Sequence, residues 1–210
     1  MIYRYFFLFV FLLSFHSSVY SQLFTFRVGY DIVSNHRAKS DVQNLDIDDI
    51  RRVDPSFLVA VEFGGSSTYF MYNIGLETSF KRTITDIDGS FNFFSGYAVI
   101  RMKLPLPYPP VIGFRVGANN YDGNSTYTDR YYEGIEYNGI GSTVRLAHSG
   151  LYHFGFGTGL IISDHILIEG WYIKHHGVRS YDEIVPLMGI LRRDFNIEFE
   201  RFFISIGYVL

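Results

Sequence analysis

The sequence predicts an all-β fold, a closed antiparallel up-and-down transmembrane β-barrel of eight strands, with ten as the alternative count. Three observations predict it. Large apolar residues recur at every second position, in most segments over about ten to thirteen residues, the length of a tilted bilayer crossing rather than of a soluble strand. The opposite face of those segments mixes glycine with Arg, Glu and Asn. Short and long connections alternate along the chain. Composition agrees, since 48% of the 210 residues are hydrophobic and 19% aromatic, with Tyr 17 and Phe 21. So much apolar surface excludes a disordered chain. A net charge of −3 leaves no basic stripe for nucleic acid. The lack of cysteine excludes disulfides, zinc–thiolate sites and thiol nucleophiles together.

The first segment stands apart from the barrel. Met1-Ile2-Tyr3-Arg4 precedes an apolar run over residues 5–15, and Val19 and Ser21 occupy the −3 and −1 places of a small-residue cleavage site. This is the pattern of a secretory signal peptide over residues 1–21. Its apolar run is shorter than the ~20 residues a helix needs to span a bilayer. Residues 22–210 are then expected to form one barrel domain, starting near Gln22, with no membrane helix.

The strands follow in order. In 23–33, Phe24, Phe26, Val28, Tyr30 and Ile32 alternate with Thr25, Arg27, Gly29 and Asp31. In 55–64, Phe57, Val59, Val61 and Phe63 oppose Leu58, Ala60, Glu62 and Gly64. In 68–80, Phe70, Tyr72, Ile74 and Leu76 oppose Met71, Asn73, Gly75 and Glu77. In 91–104, the adjacent Phe93 and Phe94 blur the phase and predict a bulge near Ser95-Gly96. In 111–120, Ile112, Phe114, Val116 and Ala118 oppose Gly113, Arg115, Gly117 and Asn119. In 151–162, Tyr152, Phe154, Phe156, Leu160 and Ile162 oppose His153, Gly155, Gly157 and Gly159. The spans 165–176 and 198–210 complete eight. Residues 137–147 and 184–191 could pair as well, which would make ten. Short connections fall at 64–67, 105–110 and 163–165, and long ones at 34–54, 81–90, 121–150 and 177–194. In a membrane barrel the short turns face the periplasm and the long loops face outward.

The glycine-and-charge face decides between a barrel and a soluble sandwich. Two stacked sheets must interlock bulky inner faces across a gap of ~10 Å, which glycine cannot fill. An enclosed lumen accepts that face, while the bulky face meets lipid and ring closure gives every backbone group a partner. The phases point Arg27, Asp31, Glu62, Asn73, Glu77, Arg101, Arg115, Glu169 and Arg201 inward. An eight-stranded interior is just wide enough to be filled by side chains, so these groups are expected to pair as a closed polar plug. A narrow gated pore or small-ligand pocket is the alternative.

At the C-terminus, Phe202, Ile204, Ile206, Tyr208 and Leu210 stand at every second place back from the last residue. This resembles the terminal β-signal that bacterial outer-membrane barrels present to their insertion machinery, with Leu210 where Phe is usual. With the signal peptide and the strand–turn rhythm, the whole mature chain resembles small outer-membrane barrels of the OmpA-transmembrane and OmpX type. The resemblance is architectural, and it implies fold and location rather than activity.

Candidate chemistry is sparse. His175 and His176 are adjacent in a strand and therefore point to opposite faces, which disfavours a shared metal. Some barrels of this size deacylate lipid A with a His and a Ser two apart on one strand and a Glu on the next. Here Gly177 and Val178 occupy the places two after His175 and His176, so the nucleophile is missing; Ser180, Glu183, Glu198 and Glu200 lie nearby at other spacings. His148, His153 and His165 read as rim or interior residues. Asn124-Ser125-Thr126 fits a glycosylation pattern that has no meaning in a bacterial outer membrane. It sits in a Tyr-rich connection suited either to partner contact or to packing on the barrel rim. The acidic residues of 34–54 lack the spacing of a calcium loop.

The expectation is therefore a monomeric, non-enzymatic barrel of the bacterial outer membrane, without cofactor or metal. It would act in envelope integrity or surface interaction, with outer-membrane lipid, lipopolysaccharide and the insertion machinery as its partners. A narrow solute channel and a lipid A or phospholipid acyl hydrolase are the alternatives.

Overall fold

The computed structural model describes residues 21–39, 48–84, 89–129, 131–132, 135–136, 142–163, 165–185 and 189–210. Apart from Ser21, the expected signal peptide lies outside them. The described chain is all strand and turn: β1 (Ser21–Lys39), β2 (Asp48–Arg52), β3 (Phe57–Ser66), β4 (Phe70–Ser79), β5 (Arg82–Ile84), β6 (Gly89–Lys103), β7 (Pro110–Asp129), β8 (Tyr131–Tyr132), β9 (Ile135–Glu136), β10 (Ser142–Ile162), β11 (Ile166–Val185) and β12 (Gly189–Val209).

Eight of these strands form an antiparallel ring in the order β1, β3, β4, β6, β7, β10, β11, β12, closed by β12 pairing back onto β1. Closure sets Arg27 opposite Gly207 and Val28 opposite Ile206. No sheet edge is left along the spanning part of the ring, the condition for strands to stand in hydrocarbon. Two short strands extend it upward, away from the short turns: β2 pairs with β1 above β3, and β5 pairs with β6 above β4. β8 and β9 pair with each other.

Partners followed round the ring run from Ile166 through Tyr208, Phe26, Val61, Leu76, Gly96 and Ala118 to Tyr152, whose ring stacks on His176 of the starting strand. One circuit thus climbs from residue 166 to residue 176, and such a stagger tilts the strands about 35–45° from the axis.

The ten-strand count does not hold. Residues 142–147 belong to the same strand as 151–162, and β11 and β12 run toward each other to pair Val185 with Gly189. Much of what the sequence suggests as long loops is paired strand. β7, β10, β11 and β12 reach 20, 21, 20 and 21 residues, about twice the ~9–11 that cross a bilayer. Above the apolar zone a wall needs no greasy face, so pairing continues through Asp, Asn, Ser and Tyr after the period-two signal ends.

The bulge expected near Ser95-Gly96 is absent. Along β6, Phe93 and Tyr97 turn inward and Phe94 outward without a break, and both neighbouring ladders keep register through Ser95. Phe93 can point inward because the lumen holds cations and rings that accept it. The irregularities lie elsewhere, in β1 between Asp31 and Val33 and in β10 between Gly150 and His153. At each, two successive residues face outward, Ile32 with Val33 and Leu151 with Tyr152. A third slip separates β4 from β5 at Phe80-Lys81. There Ser79 Oγ accepts from the Phe93 amide at 3.1 Å and the Ser56 hydroxyl donates to the Phe80 carbonyl at 3.0 Å. These hydroxyls act alongside the backbone bonds that remain, from the Phe80 amide to the Phe57 carbonyl at 3.0 Å and from the Asp54 amide to the Thr83 carbonyl at 2.9 Å.

Outward side chains form an apolar girdle that includes Phe26, Phe63, Ile74, Phe114, Phe156 and Ile206, each about half exposed. A continuous band of this kind suits hydrocarbon rather than water.

Candidate functional site

The residues with chemical potential gather in the lumen, and the inward positions of β11 show its layering. Upward from the short-turn end these are Leu167, Glu169, Trp171, Ile173 and His175, all buried. Leu167 joins Met71, Val111, Ile161 and Val209 in an apolar floor. Trp171 and Ile173 join Leu58, Tyr97, Val99 and Phe203 in an apolar middle. The ionic groups occupy two layers, one on each side of that middle.

In the lower layer, Arg27 on β1, Glu62 on β3, Arg101 on β6 and Glu169 on β11 meet across the axis. Arg27 Nη2 lies 2.9 Å from Glu62 Oε1 and 2.7 Å from Glu169 Oε2. Arg101 donates through Nε to Glu169 Oε1 at 2.7 Å and lies 2.9 Å from Glu62 Oε2 through Nη1. Asn73 Oδ1 accepts from Arg101 at 3.3 Å, and the Tyr97 hydroxyl donates to Glu62 at 2.8 Å. Two cations face two anions, each with several charge-assisted contacts, as buried charges require.

In the upper layer, Glu77 on β4 accepts from Arg115 on β7 at 2.7 Å and from Arg201 on β12. Asp31 on β1 pairs with Arg82 on β5 and lies 3.6 Å from Arg201 Nη1. His153 and His175 close the layer, each accepting at Nε2, from Arg115 Nε and Arg201 Nε respectively, at 3.1 Å. Aromatic faces cover the guanidinium groups: Arg115 sits 3.5 Å from the Tyr97 ring centroid and Arg201 4.5 Å from that of Phe93.

All nine residues placed inward by the sequence phases are buried in the lumen. The structure separates them, with Arg27, Glu62, Asn73, Arg101 and Glu169 below and Asp31, Glu77, Arg115 and Arg201 above. Sequence reasoning leaves out Arg82, His175 and the inward rings of Phe93, Tyr97, Trp171 and Phe203. The slip at Phe80-Lys81 hides Arg82. The rings could have been sought opposite the inward glycines. Trp171 pairs with Gly157 and lies over Gly113, where a Cβ would come within 2.6 Å of the indole, and Tyr97 sits between Gly75 and Gly117.

His175 and His176 do face opposite ways. His176 lies outside, stacked on Tyr152, with Glu198 3.9 Å away. The next residue on its face is Val178, which has no hydroxyl. On the same outer face Lys174 reaches Glu198 at 2.8 Å and Glu200 at 3.4 Å. Among the described residues no group of three His, Asp or Glu could hold a metal ion. Phe202, Ile204, Ile206, Tyr208 and Leu210 all lie on the outer face of the last strand and its end.

No protein-family model matches this sequence, and no curated protein matches it. Solved structures do. The chain is similar to the outer membrane protein OprG from Pseudomonas aeruginosa, at 10% identity and a TM-score of 0.50, over 91% of this chain and 97% of that one. It is similar to the outer membrane protein AlkL in DMPC lipid bilayers, at 10% identity and a TM-score of 0.52, over 92% of this chain and 93% of that one. Neisserial surface protein A aligns over 88% of this chain and 96% of its own, at 10% identity and a TM-score of 0.46. At these identities the likeness is one of fold, that of the small bacterial outer-membrane barrels.

Proposed function

We propose that this chain is a non-enzymatic barrel of the bacterial outer membrane whose lumen is a sealed structural core. Its biological contacts are then made by its outer surfaces. The apolar girdle meets outer-membrane lipid, the tall strand wall stands among lipopolysaccharide, and the monomer contributes to envelope integrity or surface interaction. On this reading the insertion machinery recognises the last strand through Phe202, Ile204, Ile206, Tyr208 and Leu210. The observation that carries the proposal is the lower ionic layer. Arg27, Glu62, Arg101 and Glu169 come from four strands and bond across the axis, and apolar layers close it above and below. A solute would have to break several buried ion pairs to pass.

Refolded protein in planar bilayers tests this. A silent bilayer containing correctly folded barrel is the expected result, and discrete conductance steps would favour the channel instead. Lipid A mass spectra from cells with and without the protein are expected to match, whereas shortened acyl patterns would restore the hydrolase.

A further inference from the structure

The lower ionic layer is balanced, with Arg27 and Arg101 against Glu62 and Glu169. The upper layer is not. Arg82, Arg115 and Arg201 face Asp31 and Glu77, and among the described residues no other carboxylate is buried there. Arginine cannot shed its proton, so among the described residues one buried positive charge of this layer has no buried counter-charge. The imidazoles do not absorb it. Because His153 and His175 accept at Nε2, each ring is neutral and carries its proton on Nδ1. Both Nδ1 atoms are buried without a hydrogen-bond partner, as are Arg115 Nη2, Arg82 Nε and Arg82 Nη2. The two rings lie side by side, with centroids 5.0 Å apart. The buried Ser95 hydroxyl, also without a partner, belongs to the same level, since Ser95 pairs with Glu77.

A surplus of N–H donors and a surplus of positive charge thus coincide in one slice of the barrel. A buried water could take the hydrogen bonds but not the charge. We infer that the upper lumen layer binds one small inorganic anion of the halide class, held by Arg82, Arg115, His153 and His175. Phe93 and Phe199 pack against His175, with ring centroids 5.0 and 5.6 Å away, and this apolar surround favours a small, weakly hydrated anion over an oxyanion or organic acid that needs many further hydrogen bonds. Enclosed in this way, the ion enters as the barrel folds.

The test starts from protein unfolded in urea and refolded into detergent micelles in sodium chloride, bromide or gluconate at equal ionic strength. Chloride and bromide are expected to raise the thermal midpoint above that in gluconate, saturating with halide concentration as a specific ligand does. Crystals grown from bromide are expected to show an anomalous peak within hydrogen-bond distance of a histidine Nδ1 and of a nitrogen of Arg82 or Arg115. Arg82→Gln removes the surplus charge and with it the halide dependence. Asp31→Asn enlarges the surplus and steepens the dependence; this variant and the bromide crystals decide the matter if Arg82→Gln does not refold. Equal wild-type midpoints in the three salts with no bromide peak would overturn the inference. A halide effect of one size in wild type and both variants would do the same, marking an adventitious ion only.

Discussion

Trp171 and the glycines beneath it show how single positions hold the interior together. The indole lies across Gly157 and Gly113, and no side chain at either place could coexist with it. Glycine weakens a strand on its own; here an aromatic ring reaching from β11 across β10 to β7 takes up the vacant space. Gly113→Val is therefore expected to destabilise the barrel by about 1–3 kcal/mol through overpacking, read from urea midpoints of refolded protein. Adding Trp171→Leu should return most of that loss. Independent, additive effects of the two changes would show that the ring and the glycine do not share the space as described.

At the scale of the strand, the outward face of β4 offers a graded test of its depth in lipid. Ile74 stands near the middle of the girdle and Phe70 at its lower margin, beside the 67–69 turn. Ile74→Arg should cost about 2–4 kcal/mol and Phe70→Arg about 0–1 kcal/mol, measured by unfolding in lipid vesicles. Equal penalties would place β4 outside a bilayer. Strands were legible in the sequence wherever one face had to meet hydrocarbon. Phe24 to Ile32, Phe70 to Leu76 and Ile112 to Val116 alternate cleanly for that reason, and the inward phase of Arg27, Glu77 and Arg115 follows from theirs. The pattern fades in residues 121–129, 142–149 and 179–195, where the sequence turns polar without a period of two, and so the upper halves of β7, β10, β11 and β12 read as loops. It also misleads at Phe93-Phe94, where an inward aromatic rests on cations that sit far off in the chain. Which Arg meets which Glu was not legible at all, because Arg27, Glu62, Arg101 and Glu169 become neighbours only through ring closure.

For the whole molecule, closure and filling are separate matters. Strand number and stagger set the width of an eight-stranded ring, and the lumen side chains only occupy it. Removing one member of the lower layer, as in Glu62→Gln, leaves Arg27 and Arg101 short of an anion and should cost about 3–5 kcal/mol. Replacing Arg27, Glu62, Arg101 and Glu169 together by Ser leaves no charge of that layer unpaired. That variant is expected to be less destabilised than Glu62→Gln alone and to keep a native β-sheet spectrum and compact gel mobility. If the fourfold change instead abolishes folding while the single one is tolerated, the ionic layer itself holds the ring shut. The circuit from Ile166 round to His176 is a property of the backbone alone. Because backbone register fixes the calibre of the cylinder, its contents can drift from ballast to cargo over generations while the footprint it presses into the surrounding lipid stays the same.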